Sequence, residues 1–216
     1  MMKKIDISNI RREYTLGAIN YSDLPDKPIK LFSAWLKQAF SSKIPDPTAM
    51  CLATVDYTGQ PYQRIVLLKD FSETTMTFYT NLNSRKAFHL NHNPKVSLCF
   101  PWNVIDKQVT VIGEISKLAE NIVLKNFYAR PKNNQISTWV SKNQSSTISF
   151  TTLLEKKFLE LKQKYLFKEI PFPKFWGGYT VHIHSIEFWH GRIYRLHDRF
   201  IYKKSNHTWC IYRLSP

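Results

Sequence analysis

Three basic side chains recur at every second position in Ile193-Tyr194-Arg195-Leu196-His197-Asp198-Arg199-Phe200. Read as a β-strand, this spacing puts Arg195, His197 and Arg199 on one face, because successive strand side chains point to opposite sides. Like charges held side by side repel, and an anion seated between them removes the penalty. Phosphate suits the donor set: arginine offers a planar fork of N–H groups, and histidine adds a donor that titrates near neutral pH. The plainer alternative is a solvated edge strand whose charges deter aggregation. Asp198 falls on the opposite face, which suits a supporting role.

A second cationic cluster, Asn83-Ser84-Arg85-Lys86, opens a helical stretch. Basic residues in a first turn oppose the helix dipole, but an anion on the free N–H groups of that turn reverses the sign. Arg64-Ile65-Val66-Leu67-Leu68-Lys69 reads as a buried strand with a cation at each end, with Lys69 reaching the rim on the face of Ile65 and Leu67. Gln108 and Gln144-Ser145-Ser146 supply neutral hydrogen-bonding groups that suit heterocycle edges and phosphate oxygens. His182 and His184 alternate on a strand, yet no third ligand stands at an obvious spacing, so they read as surface histidines rather than a metal site.

The elements that must position these groups are legible from periodicity. Residues 28–40 carry Leu31, Phe32, Trp35, Leu36 and Phe40 at helical spacing, with proline in the first turn. Strand-like runs cover 50–56, 63–69, 75–80, 95–100 and 107–116, the first two joined by the turn Thr58-Gly59-Gln60-Pro61. Short helices are expected from Ser84 to Asn91 and from Glu120 to about Arg130. An amphipathic helix is expected over 151–167, with Leu154, Phe158, Leu161 and Tyr165 inward. Strands return after Phe175-Trp176-Gly177-Gly178. Antiparallel strands with a few inserted helices predict an α+β β-barrel in a single domain.

Composition limits the partners. The chain has 216 residues, 43% hydrophobic and 14% aromatic, which suits a packed globular protein. A formal charge of +15 calls for anionic partners. The basic residues form short clusters between apolar strands, a pattern that fits discrete phosphate pockets better than a nucleic-acid groove. No apolar run is long enough to span a bilayer, and no signal peptide is read at the start. Cys51, Cys99 and Cys210 read as buried thiols of a reducing cytoplasm.

Taken in order, many segments resemble the pyridoxamine 5′-phosphate oxidase family: RREY at Arg11, DPTAM at Asp46, GQPYQRIVLLK ending at Lys69, FYTN at Phe78, SRKA at Ser84 and FPW at Phe100. ARP at Ala129, WVS at Trp139, QSS at Gln144, KFLELK at Lys157, FWGG at Phe175, EFW at Glu187 and RLHDRF at Arg195 continue the match. The resemblance implies an FMN-binding split β-barrel that forms a homodimer with FMN at the interface. It implies a flexible N-terminal arm over 1–25 and C-terminal dimerisation and active-site strands over 171–216. FMN would be held by Arg64, Ile65, Val66, Leu67, Leu68, Lys69, Tyr79, Thr80, Arg85, Lys86, Gln108, Gln144, Ser145, Trp189 and Arg199. Substrate would meet Arg11, Tyr14, Lys69, Asn126, Arg130, Asn134, Arg195 and His197, the last two acting as catalytic groups over the pyridine ring.

The implied reaction is the cytoplasmic oxidation of pyridoxamine or pyridoxine 5′-phosphate to pyridoxal 5′-phosphate, with hydride passing to flavin and dioxygen giving peroxide. No nucleic acid or membrane partner is implied. The match departs where the family usually has Tyr and Ser: Asn126 and Asn134 stand there, and an extra residue falls near Asn143. These departures imply retained activity with weaker grip on the substrate phosphate. The alternatives are a related split-barrel flavin oxidoreductase with another substrate, and a nucleic-acid-binding barrel using basic and aromatic residues.

Overall fold

The computed structural model describes residues 6–148, 150–206 and 208–216. The elements in chain order are α1 (Pro28–Ser41), β1 (Ala49–Val55), β2 (Pro61–Leu67), β3 (Asp70–Phe71), β4 (Thr75–Asn81), α2 (Arg85–His92), β5 (Lys95–Trp102) and β6 (Lys107–Lys117). There follow α3 (Glu120–Ala129), α4 (Lys132–Val140), α5 (Thr152–Lys164), β7 (Trp176–His190), β8 (Asp198–Ser205) and β9 (Thr208–Leu214). The strands hydrogen-bond in the order β2-β1-β5-β6-β7-β4-β3, with β8 also on β7 and β9 on β8. The chain falls into two compact units, 48–100 with 111–184, and 1–47 with 101–110 and 185–216.

In the first unit, β1 buries Met50, Leu52 and Thr54 and turns the intervening residues outward, the period-two pattern of a strand with one face on a core. It pairs antiparallel with β2, Cys51 opposite Ile65 and Leu52 opposite Arg64. β4 pairs with β7 so that Tyr79 faces Gly178 and Phe78 faces Tyr179. Phe127, Ile136 and Ile170 form a second apolar cluster, against which Phe158, Leu161 and Tyr165 of the α5 face pack. The inward set expected for that helix is therefore the observed one, half-buried rather than buried.

In the second unit, Trp35 packs edge-on to Phe188 at 5.2 Å between centroids, and Phe188 meets Tyr202 at 5.7 Å. The last part of β7 pairs with β8, placing Trp189 opposite Arg199 and His190 opposite Asp198.

Four sequence expectations need correcting. Ile193–Arg195 is a short 3₁₀ turn, not a strand; Tyr194 and Arg195 have φ of 54° and 60°, and β8 begins only at Asp198. Side chains in consecutive left-handed residues do not alternate as in a strand, so Arg195, His197 and Arg199 share no strand face. The run from Arg64 to Lys69 is not buried: β2 pairs with β1 alone among the described strands, leaving Ile65 62% and Leu67 39% exposed. Phe40 is exposed and Ala39 fills the α1 core position instead. The three cysteines are half-buried.

Candidate functional site

Within the unit formed by 48–100 and 111–184, the predicted cations converge. Ser84 caps α2, its Oγ accepting the Ala87 N–H at 3.4 Å, and this leaves Arg85 and Lys86 in the first turn. The Lys86 ammonium is buried and has no ion-pair partner among the described residues; it donates to Thr80 Oγ1 at 3.1 Å, Ser84 Oγ at 3.3 Å and Gln144 Oε1 at 3.3 Å. Burial, reinforced by the Arg64 charge, pulls its pKa down to about 8.

Arg64 is held from below. Its Nη1 donates to Leu52 O at 3.0 Å and Thr54 Oγ1 at 2.6 Å, and Thr54 meets His89 Nδ1 at 3.1 Å. Burial lowers the Arg64 pKa, and burial followed by Arg64 lowers that of His89. The Arg85 guanidinium lies over the Tyr62 ring at 5.4 Å. Arg64, Arg85, Lys86, Gln144 and Ser145 line one cavity of about 480 Å³ with Tyr62, Gln63 and Ile65. Ser145 takes a left-handed φ of 75°, and its Oγ accepts the Arg85 N–H at 3.4 Å.

Three cations facing a helix N-terminus through neutral acceptors are a poor arrangement in water alone and a good one for a phosphate dianion. The donor set therefore fits a phosphate monoester, the group that FMN carries.

A neighbouring cavity of about 490 Å³ shares Ile65, Lys86 and Gln144 with the first and adds Lys69, Tyr79, Thr80, Asn126, Arg130, Asn134 and Trp176. Arg130, just past α3, lies over the Trp176 ring at 4.2 Å and donates from Nη1 to Thr138 Oγ1 at 2.7 Å. Burial lowers its pKa. Tyr128 turns away and lines a different cavity with Lys132 and Phe167. Asn126 and Asn134, the two departures, thus line the same cavity as Arg130.

The second unit gathers the other predicted residues. The Tyr14 ring meets Trp189 edge-on at 5.6 Å and His197 edge-on at 5.4 Å, and Trp189 lies 4.7 Å from His197. Gly191 makes room for this: a Cβ there would stand 2.6 Å from Tyr14 Cδ1. His197 Nδ1 accepts the Arg192 N–H at 3.1 Å, which leaves the proton of the neutral ring on Nε2. Burial, then the Arg195 charge, lowers its pKa, so the neutral donor form prevails at pH 7.

Arg199 is already engaged, donating from Nε to Glu187 Oε1 at 2.9 Å and from Nη1 to Ser215 O at 2.9 Å. Gln108 is half-buried on β6, its amide 3.5 Å from Thr110 Oγ1. Arg11 is exposed. Its neighbour Arg12, which sequence reasoning passed over, is ion-paired with the buried Asp106 and lies over the Tyr14 ring at 4.6 Å. Asp198 is buried and accepts from Arg192, Arg213 and the Ile19 N–H, the supporting role expected of it.

His182 is an exposed strand residue bonded to Ser116 at 2.8 Å, and no group of three metal-ligating side chains occurs among the described residues. Among those residues, no helix is long and apolar enough to cross a membrane.

Comparison with known proteins places these clusters in context. The family model described as pyridoxamine 5′-phosphate oxidase matches residues 36–165, and that of the pyridoxine 5′-phosphate oxidase C-terminal dimerisation region matches 176–216. A pyridoxine/pyridoxamine 5′-phosphate oxidase of Blochmanniella pennsylvanica is 66% identical over all of both chains. That of Pectobacterium atrosepticum is 56% identical, covering all of this chain and 95% of its own. Among solved structures, PhzG of Burkholderia lata, crystallised with tetrahydrophenazine-1-carboxylic acid, superposes with a TM-score of 0.85 at 27% identity, covering 91% of this chain and 96% of its own. A pyridoxamine 5′-phosphate oxidase-related, FMN-binding protein of Nostoc punctiforme shares the fold at a TM-score of 0.67 and 14% identity, covering 86% and 97%.

Proposed function

Because the chain belongs to the pyridoxamine 5′-phosphate oxidase family, we propose that it oxidises pyridoxamine and pyridoxine 5′-phosphate to pyridoxal 5′-phosphate with FMN and dioxygen, releasing peroxide. The observation that carries this is the pair of adjoining cationic cavities, since the reaction needs one phosphate held on the cofactor and another on the substrate. Arg64, Arg85 and Lys86 take the FMN phosphate, and the backbone of Ile65 and Leu67, turned away from β1, offers amide groups to the flavin. Lys69, Arg130, Asn126 and Asn134 take the substrate phosphate.

Bound FMN supplies the two-electron acceptor. The protein groups orient and bias. Neutral His197 presents Nε2–H, and Arg195 presents a permanent charge on a strained left-handed residue, a conformation that costs about 1–2 kcal/mol and persists where surroundings enforce it. Both suit contact with the substrate ring and its reacting 4′ group. Tyr14 and Arg11 also contact the substrate, and Arg12 ties the N-terminal arm to Asp106.

The chain forms a homodimer with FMN between subunits, supported by the matched dimerisation region and by the exposed apolar Ile65, Leu67 and Tyr212. The chain's 66% identity to a pyridoxine/pyridoxamine 5′-phosphate oxidase, against 27% to PhzG, favours the phosphorylated vitamers as substrates. Oxygen consumption coupled to pyridoxal 5′-phosphate formation tests it. FMN-loaded protein that consumes no oxygen with either phosphorylated vitamer refutes it.

A further inference from the structure

We infer that Thr138 is a positioning residue for the substrate phosphate: its hydroxyl aims the Arg130 guanidinium into the cavity without neutralising it. The inference rests on the proposed role of that cavity. Thr138 is only 3% exposed, so its hydroxyl must be paired within the protein. It donates to Asn134 O at 3.0 Å, which turns a lone pair toward Arg130 Nη1, 2.7 Å away. One buried hydroxyl thus links two residues that line the cavity, Arg130 and Asn134.

The rest of Arg130 is clamped as well. Its guanidinium lies over Trp176 at 4.2 Å, and its carbonyl accepts from Gln135 Nε2 at 2.8 Å. What the clamp lacks is a carboxylate: none pairs with Arg130 among the described residues. The chemistry of the choice follows. A carboxylate would orient the guanidinium and also consume its charge, lowering its attraction for a phosphate. A threonine hydroxyl accepts one N–H, fixes the plane of the fork, and leaves the full charge and the remaining donors for the ligand. Pre-orientation of this kind saves the entropy of ordering a long side chain on binding.

The test uses the FMN-loaded protein and four variants, Thr138→Val, Thr138→Ser, Arg130→Met and the Arg130→Met/Thr138→Val double. Thr138→Val keeps the shape and removes the acceptor, and Thr138→Ser restores the acceptor. The expected result for Thr138→Val is a KM for pyridoxamine 5′-phosphate raised about five- to tenfold with kcat nearly unchanged, and Thr138→Ser close to the parent. In an Arg130→Met background Thr138→Val should add nothing, because the group it positions is gone. Calorimetry with inorganic phosphate reads the same cavity without turnover, and binding there should weaken in Thr138→Val by a similar factor. An unchanged KM and phosphate affinity in Thr138→Val, or a full effect persisting in Arg130→Met, overturns the inference. A parent protein that binds phosphate through Thr138 and Arg130 but oxidises no vitamer refutes the proposed reaction and leaves the positioning role standing.

Discussion

Raising the pH from 7 to 9 should weaken FMN binding to the apoprotein about tenfold, because Lys86 loses its proton with a pKa of about 8. The ammonium is buried among three neutral acceptors, and its fall from the ordinary 10.5 corresponds to roughly 3 kcal/mol of unfavourable charge burial. The sign follows from linkage. The folded pKa lies below the unfolded one, so this penalty on the apoprotein is fully present below pH 8 and is relieved as pH rises from about 8 toward 10.5.

A phosphate dianion beside Lys86 does the opposite and holds the proton on, so binding takes up a proton above pH 8. The second phosphate ionisation, with a pKa of about 6, is complete before this window opens. Fluorescence titration of apoprotein with FMN at pH 7, 8 and 9 gives the slope, and Lys86→Met should bind weakly and flatly across the range. A parent affinity that stays constant from pH 7 to 9, or a slope that survives in Lys86→Met, refutes the reasoning.

Three further outcomes are expected. Arg64→Met removes a charge-assisted donor from the FMN phosphate and should raise the FMN Kd about ten- to a hundredfold, read by the same titration. Asn126→Tyr should lower the KM for pyridoxamine 5′-phosphate by extending the donor toward the anion in the Arg130 cavity, and steady-state kinetics showing no improvement would sink that idea. Asp198→Ala leaves Arg192, Arg213 and the Ile19 N–H without their acceptor and should cost about 3 kcal/mol, a Tm drop of roughly 10 °C by calorimetry.

Much of this arrangement was legible from local pattern. Ser84 ahead of Arg85 and Lys86 announced a helix start, because capping acts within one turn. The α5 face was legible for the same reason, its spacing being a property of the helix alone. The reading failed where tertiary contacts overrode periodicity. Arg195 and His197 alternate in sequence, yet two left-handed residues break the strand, one of them with its N–H on Glu13 Oε2 at 3.3 Å, far away in sequence. Helix α4 went unread because it follows Pro131 and opens with Lys132, Asn133 and Asn134, a polar start with weak helix propensity. Nothing local signals that Ile65 and Leu67 face outward, since an edge strand and a central one carry the same apolar run. Arg12 with Asp106, and Glu187 with Arg199, are pairings that only the fold reveals.

The central claim is that the protein holds both FMN and a phosphorylated vitamer in reacting contact. The visible spectrum of FMN-loaded protein, recorded before and after anaerobic addition of pyridoxamine 5′-phosphate, tests it directly. The flavin band should bleach on addition and return when air is admitted; a bound flavin whose band does not change contradicts the account.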